Sequence, residues 1–218
     1  MNHIWAISPN TGKRLSAVSG KTAVVMPTIV PSQKNVFSVK AKQVVFTALL
    51  SWMENIVGLE WFLETAWPKV RKAVPNAELV VSGQMGDQKL KENLAKIPGV
   101  KLVGFVPSLA DLYHNSAVAI APILINSGIK VKILTYLSFG LPVVSTTQAT
   151  WGMDSLDGVK AVKETRFADA VIQLLKNPRE RQKLSKAGHA NIAHHHSDLA
   201  LTHFFKKVGV LPGREPKK

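Results

Sequence analysis

From residue 44 onward, short apolar runs alternate with stretches of helical periodicity. Residues 44–49, 79–82, 101–104, 117–122, 142–145 and 159–162 read as strands. Residues 58–73, 88–96, 109–115, 128–139, 166–175 and 178–194 read as helices. Regular alternation of strand and helix predicts an α/β fold: a Rossmann-like parallel sheet with helices on both faces. The run 117–124 is continuously apolar, as expected of a strand covered on both sides. Pro178 suits a first helical position, with Asn177 as its cap. Ahead of this alternation, residues 4–7, 12–18 and 22–26 have a strand–helix–strand order of their own. Residues 28–42 are polar, carry Pro27 and Pro31 at their edge, and read as a linker.

One stretch combines these signals with chemistry. Residues 126–146 follow the buried strand, open on small residues, continue as an amphipathic helix and stop at Gly140 before another apolar strand. A small-residue loop at a helix start lets an anion approach backbone N–H groups. On a helix beginning at Gly128, Gly128, Lys132 and Thr135 share one face. Ile129, Ile133, Tyr136 and Leu137 form the opposite, core-facing stripe. This suits a phosphate at the helix mouth with a hydroxyl-bearing sugar beside it.

The same stretch resembles the donor-site segment of GT-B glycosyltransferases, and within them the large retaining group called family 4. Gly128, Lys130, Lys132, Ile133, Leu134, Gly140 and Pro142 to Thr146 match its pattern or substitute conservatively. Val44, Val45 and Phe46 with Asn55, Gly58, Trp61 and Phe62 resemble the family's first strand and helix. Residues 75–83 resemble its second strand, 98–106 its third, and Ala121 with Pro122 end its fourth. The ordered set spans residues 43 to 153.

The resemblance implies the C-terminal, donor-binding domain, hence one half of a GT-B fold. It divides the chain into a remnant of the acceptor-side domain at 1–27, the linker at 28–42, a Rossmann-like donor nucleotide-sugar domain at 43–195, and a C-terminal helix with basic tail at 196–218. Ser127 and Gly128, with Lys130 or Lys132, would hold the donor diphosphate. Gly104, Phe105 and Val106 would meet the nucleotide base through backbone, and Thr135 the ribose. The implied reaction transfers a sugar, with retention, from a nucleotide-diphosphate sugar to an acceptor hydroxyl. No catalytic residue is assigned. No cofactor and no metal are expected, the nucleotide sugar being a substrate.

Three departures bear on catalysis. The family's ribose glutamate falls at Thr135, which offers one hydroxyl and no charge. No basic residue lies between Leu49 and Gly58, where Asn55 is the polar candidate and a helix cap its plain role. The loop 147–152 lacks the family's frequent Gly and Glu.

Composition sharpens this. With 218 residues, 46% of them hydrophobic, the chain can bury one good core and a small appendage. It has no cysteine, which excludes disulfides and thiolate zinc sites. The N-terminus does not read as a signal peptide, and no apolar run approaches membrane-spanning length. The expected location is the cytoplasm, with peripheral association at the inner membrane face as a variant.

The net charge of +14 is unevenly placed: +6 over residues 1–42, +1 over 43–175 and +7 over 176–218. The partners this allows are a nucleotide sugar, an acceptor-domain chain or a second copy, and an anionic membrane or lipid-linked acceptor. Nucleic acid is not expected.

His194, His195 and His196 cannot all reach one ion from consecutive helical positions, so they read as a polar helix end. Trp5, Trp61 and Trp67 read as packing residues, while Trp52 and Trp151 fall on loops of the ligand side. Two other functions stay open. One is a degenerate glycosyltransferase domain that binds a nucleotide or a partner without turnover. The other is a basic adaptor at an anionic surface.

Overall fold

The computed structural model describes residues 4–84, 88–125, 128–153 and 156–209. It contains a two-stranded sheet, β1 (Ile4–Ala6) with β2 (Ala23–Val25), and a six-stranded sheet. The larger sheet comprises β3 (Gln43–Thr47), β4 (Leu79–Ser82), β5 (Val100–Gly104), β6 (Ser116–Ala121), β7 (Val143–Thr146) and β8 (Val159–Val162). Every strand pair is parallel. The order is β5-β4-β3-β6-β7-β8. Central β6 is buried along its whole length, whereas β5 at the edge alternates between half-buried and exposed residues. The expected α/β class, strands and alternation are thus present.

Helices cover both faces. One core is formed by Phe46, Leu59, Phe62, Trp67, Val81, Ile120 and Phe167, the other by Val45, Tyr113, Ala119, Ile133, Tyr136 and Leu137. Strand residues contribute to the two cores in alternation, Val44 and Phe46 to the first and Val45 to the second, as the period of a strand requires.

The helix expected over 58–73 differs in two ways. It begins earlier, as α2 (Met53–Trp61), and passes through a π-helical turn (Phe62–Ala66) into α3 (Trp67–Ala73). Pro68 explains the turn. It has no N–H to give the carbonyl four residues back, and its ring would crowd that carbonyl. One residue of widening accommodates both, with Trp67 N–H donating to Phe62 O.

The remaining helices are α1 (Pro9–Ser19), α4 (Gln88–Ala95), α5 (Leu109–His114), α6 (Val131–Ser138), α7 (Phe167–Lys176), α8 (Pro178–His195) and α9 (Asp198–Lys207). At α8, Asn177 accepts from Glu180 N–H at 3.0 Å and Pro178 occupies the first turn, as the sequence predicts.

The stretch read as a linker has no regular structure, yet its path is fixed. Along α8, Arg181 donates to Val39 O at 2.8 Å, Ser185 accepts from Asn35 Nδ2 at 3.3 Å, and His189 Nε2 lies 2.9 Å from Gln33 O. These three side chains are four residues apart, so one helix face holds the strap. Val36 N–H donates to Phe139 O at 3.0 Å and Val30 N–H to His196 O at 2.9 Å. At the far end, α9 folds back on β1, with the Phe204 and Phe205 rings edge-on to Trp5 at 5.8 and 6.3 Å. The aromatic residues of that helix are thus packed against this chain's own first strand.

Candidate functional site

The sheet topology locates a switch point. From β3 the chain steps outward to β4 and β5, then crosses back to lay β6 on the other side of β3. In such sheets, ligands bind beyond the carboxyl ends of the strands where the order reverses. Here that point lies between β3 and β6, and the segments that follow these strands there are 48–52 and 122–125.

Packing at this point is tight. An added Cβ on Gly58 of α2 would lie 1.8 Å from Pro122 O, so only glycine lets α2 sit against the end of β6. Helix α6 is locked to β3 from the other side. The buried Tyr136 hydroxyl accepts from Thr47 N–H at 2.7 Å and lies 3.2 Å from Thr47 O. Tyr113 adds a bond of 3.4 Å to Thr47 Oγ1. Burial pushes the Tyr113 hydroxyl up to about 12, against the lowering effect of that bond, and burial raises Tyr136 too.

The two lysines of the α6 segment both face α2. Lys130, 5% exposed, pairs with Glu54 Oε2 at 3.1 Å. Lys132 Nζ donates to Asn55 Oδ1 and stands 4.7 Å from the centre of the Phe46 ring. Asn55, 4% exposed, donates in turn to Leu49 O at 2.9 Å, tying the loop after β3 to α2. Burial lowers the Lys132 ammonium to about 8; the Glu54 carboxylate opposes this and Lys130 adds to it. Lys132 therefore sits where small environmental changes alter its charge at ordinary pH.

The start of α6 departs from expectation. The helix begins at Val131, not Gly128, and Lys130 is its N-terminal flanking residue without a capping side-chain bond. Gly128 has φ +106° in an exposed loop, where a Cβ would meet nothing within 4 Å. That backbone is left-handed, hence the glycine. Gly128 thus precedes the helix and does not share a helical face with Lys132 and Thr135. Ser127 lies outside the described residues.

Thr135 is half-buried and its hydroxyl donates to Val131 O at 3.1 Å. Gly104 ends β5 with φ +65°, again open to solvent, and its carbonyl accepts from Gly83 N–H at 2.8 Å. Phe105 is 83% exposed and Val106 half-buried. Between Gly104 and the β6 loop lie three strand steps, about 14 Å at normal spacing. The ends of β5 and β6, from which the expected base and diphosphate segments continue, therefore lie on one edge of one sheet.

Sequence reasoning missed Glu54. It lies in the stretch searched for bases, and nothing local signals that an acid there will meet a lysine 76 residues later.

A second candidate site lies beside the first. A cleft of about 740 Å³ separates the β1–α1–β2 unit from α8, α9 and the loops holding Ile129 and Met153. Among the described residues, no group of His, Cys, Asp or Glu could hold a metal ion, and no helix is long and apolar enough to cross a membrane.

Comparison with known proteins agrees with this architecture. The family profile described as Glycosyl transferases group 1 matches residues 41–177, well over half of the chain. An uncharacterized 44.6 kDa protein from the cps region of Klebsiella pneumoniae is 26% identical over 163 residues, spanning 70% of this chain and 42% of that protein. TarM from S. aureus, in a variant structure with fondaparinux, alpha-GlcNAc-glycerol and UDP, superposes with a TM-score of 0.76 at 13% identity, over 95% of this chain and 44% of TarM. HepE from Anabaena, in complex with UDP-glucose, superposes with a TM-score of 0.71 at 12% identity, over 95% of this chain and 63% of HepE. This chain spans less than half of the Klebsiella protein and of TarM. It belongs to the glycosyl transferases group 1 family, and its fold is a Rossmann-like half of a GT-B glycosyltransferase.

Proposed function

We propose that the chain is the donor-binding half of a retaining glycosyltransferase. It holds a nucleotide-diphosphate sugar at the carboxyl edge of the larger sheet, for transfer to an acceptor hydroxyl. A further acceptor-side domain, from the same protein or another chain, completes the cleft. The observation that carries this reading is the reversal of strand order between β3 and β6. There the loop before α6 and a lysine of lowered proton affinity stand at the reversal of strand order.

The parts have distinct roles. Lys130, held by Glu54, fixes α2 against the α6 segment. Lys132, less buried than Lys130, is the second cation of the segment. As the bond to the sugar breaks, negative charge grows on the diphosphate. The start of α6 and, on exchanging its bond to Asn55, the Lys132 ammonium stabilise that charge. Thr135 supplies a hydroxyl in place of a ribose-binding acid, which favours weaker nucleotide binding. The UDP and UDP-glucose in the TarM and HepE structures support a uridine nucleotide as the first donor to try.

Isothermal titration with UDP tests this. We expect affinity from tens of micromolar to about millimolar for a half site. Gly128→Val should remove it, because a β-branched residue cannot keep the left-handed backbone of that loop. Absence of binding by any common nucleoside diphosphate at millimolar concentration would reject the donor reading. Unchanged affinity in the variant would place the site elsewhere.

A further inference from the structure

The donor site leaves the second site unexplained. The cleft of about 740 Å³ is of a size to enclose a sugar-sized ligand with room for substituents. The carboxyl ends of β1 and β2 border it on one side, and the loops after β6 and β7, through Ile129 and Met153, border it on another. Ligand-side ends of both sheets thus open on one space, adjoining the Gly128 loop.

Its chemistry is unusual for this chain. His194, His195, His196 and His203 line it, and no Asp, Glu, Lys or Arg does so among the described residues. His196 is committed to the strap, its Nδ1 2.7 Å from Thr28 O. The other three are exposed. The walls come largely from residues 7–28 and 194–204, and the middle of the chain contributes three lining residues. A space whose ionisable lining is imidazole, with no carboxylate to repel an anion, suits an acidic ligand.

We propose that this cleft binds the acceptor, and that the acceptor sugar bears an acidic group, a carboxylate or a phosphate, held by His194, His195 and His203. This rests on the donor reading for the word acceptor; the anion site itself does not.

The test uses the full chain and the ring carbon–proton NMR signals of its histidines at pH 6.5. Glucose 6-phosphate and glucuronate are titrated as phosphate and carboxylate probes, with glucose as the neutral control. We expect saturable shifts of the His194, His195 and His203 signals with one or both anions. Affinity should exceed that for glucose at least tenfold, and should fall at least tenfold in the triple variant His194→Gln, His195→Gln, His203→Gln. Folding of the variant is checked by its amide spectrum, and a variant that fails this check is replaced by the three single substitutions, each expected to weaken binding. Equal response to glucose, no saturable shift with either anion, or binding unaffected by the substitutions would overturn the proposal. UDP titrated into the wild-type chain separates the two readings. If UDP binds and the anions do not, only the acceptor inference falls; if the anions bind and UDP does not, the donor reading falls.

Discussion

The two candidate sites on the carboxyl side of the molecule are built from different parts of the chain. The switch point between β3 and β6 belongs to the near-neutral middle. Its polar groups are paired within the protein: Lys130 with Glu54, Lys132 with Asn55, Asn55 with Leu49 O, Tyr136 with Thr47. The histidine-lined cleft comes mainly from the two ends of the chain, and three of its four histidines are exposed. The difference separates precision from attraction. A preorganised, tightly held site suits a fixed chemical group such as a diphosphate. A wider, imidazole-lined space suits a ligand whose remaining structure varies.

If the first region is held by packing, the greatest damage comes from filling its closest approach. Gly58→Ala gains about 1 kcal/mol of helix propensity. It also places a methyl group within overlap of Pro122 O. Overpacking against backbone costs about 3 kcal/mol or more, so the net effect should be destabilising by at least 2 kcal/mol in urea unfolding. An unchanged midpoint would show that α2 does not press on the end of β6.

Next comes the buried pair. Lys130→Met leaves the Glu54 carboxylate, 16% exposed, without its cation. A loss of about 1–2 kcal/mol is expected, below that for a fully buried pair because Glu54 reaches solvent, and adding Glu54→Gln should restore part of it. Additive losses in the double variant would mean that the pair is not the element joining α2 to α6.

The pH response of Lys132 should be smaller and is signed. Below pH 8 the ammonium is charged in both folded and unfolded chains. Between about 8 and 10.5 the unfolded chain keeps a proton that the folded chain has lost, so this group adds stability as pH rises through that window. Binding moves oppositely. The UDP diphosphate stays ionised from pH 7 to 9 while Lys132 loses its charge, so affinity should fall about tenfold over that span. The uracil imide proton, which also titrates toward the upper end of that span, acts equally on wild type and variant. Lys132→Met should flatten that fall. An equal pH dependence in the variant would assign the titration to another group.

The smallest effect concerns the ribose. Thr135→Glu should tighten UDP binding by about 1 kcal/mol, and deoxy-UDP binding less, because a carboxylate can accept from both ribose hydroxyls. Equal gains for both ligands would mean that this face of α6 does not meet the ribose.

What the sequence showed and hid follows the range of each interaction. Strand 79–82, strand 159–162 and the Asn177–Pro178 helix start were legible because local periodicity and capping determine them. The π-helical turn at 62–66 was not, since the signal of Pro68 is read as a helix position tolerated or broken, not as a widening. The strap at 28–42 looked like a linker because its partners, Arg181, Ser185 and His189, lie about 150 residues away. The Lys130–Glu54 pair and the histidine wall were hidden for the same reason. Each His in the run 194–196 reads locally as a polar helix end, and only the return of the β1–α1–β2 unit makes a cleft of it.

The central claim is that a nucleoside diphosphate binds at the carboxyl edge where β3 and β6 part. Amide NMR of the full chain during a UDP titration tests it most directly. The account predicts saturable shifts centred on Gly128–Lys132 and Leu49–Asn55, extending to Gly104–Val106 at the base end, and lost in Gly128→Val. Shifts confined to the opposite edge of the sheet, near Gln43, Ser116 and Val143, or none with millimolar UDP, would contradict it.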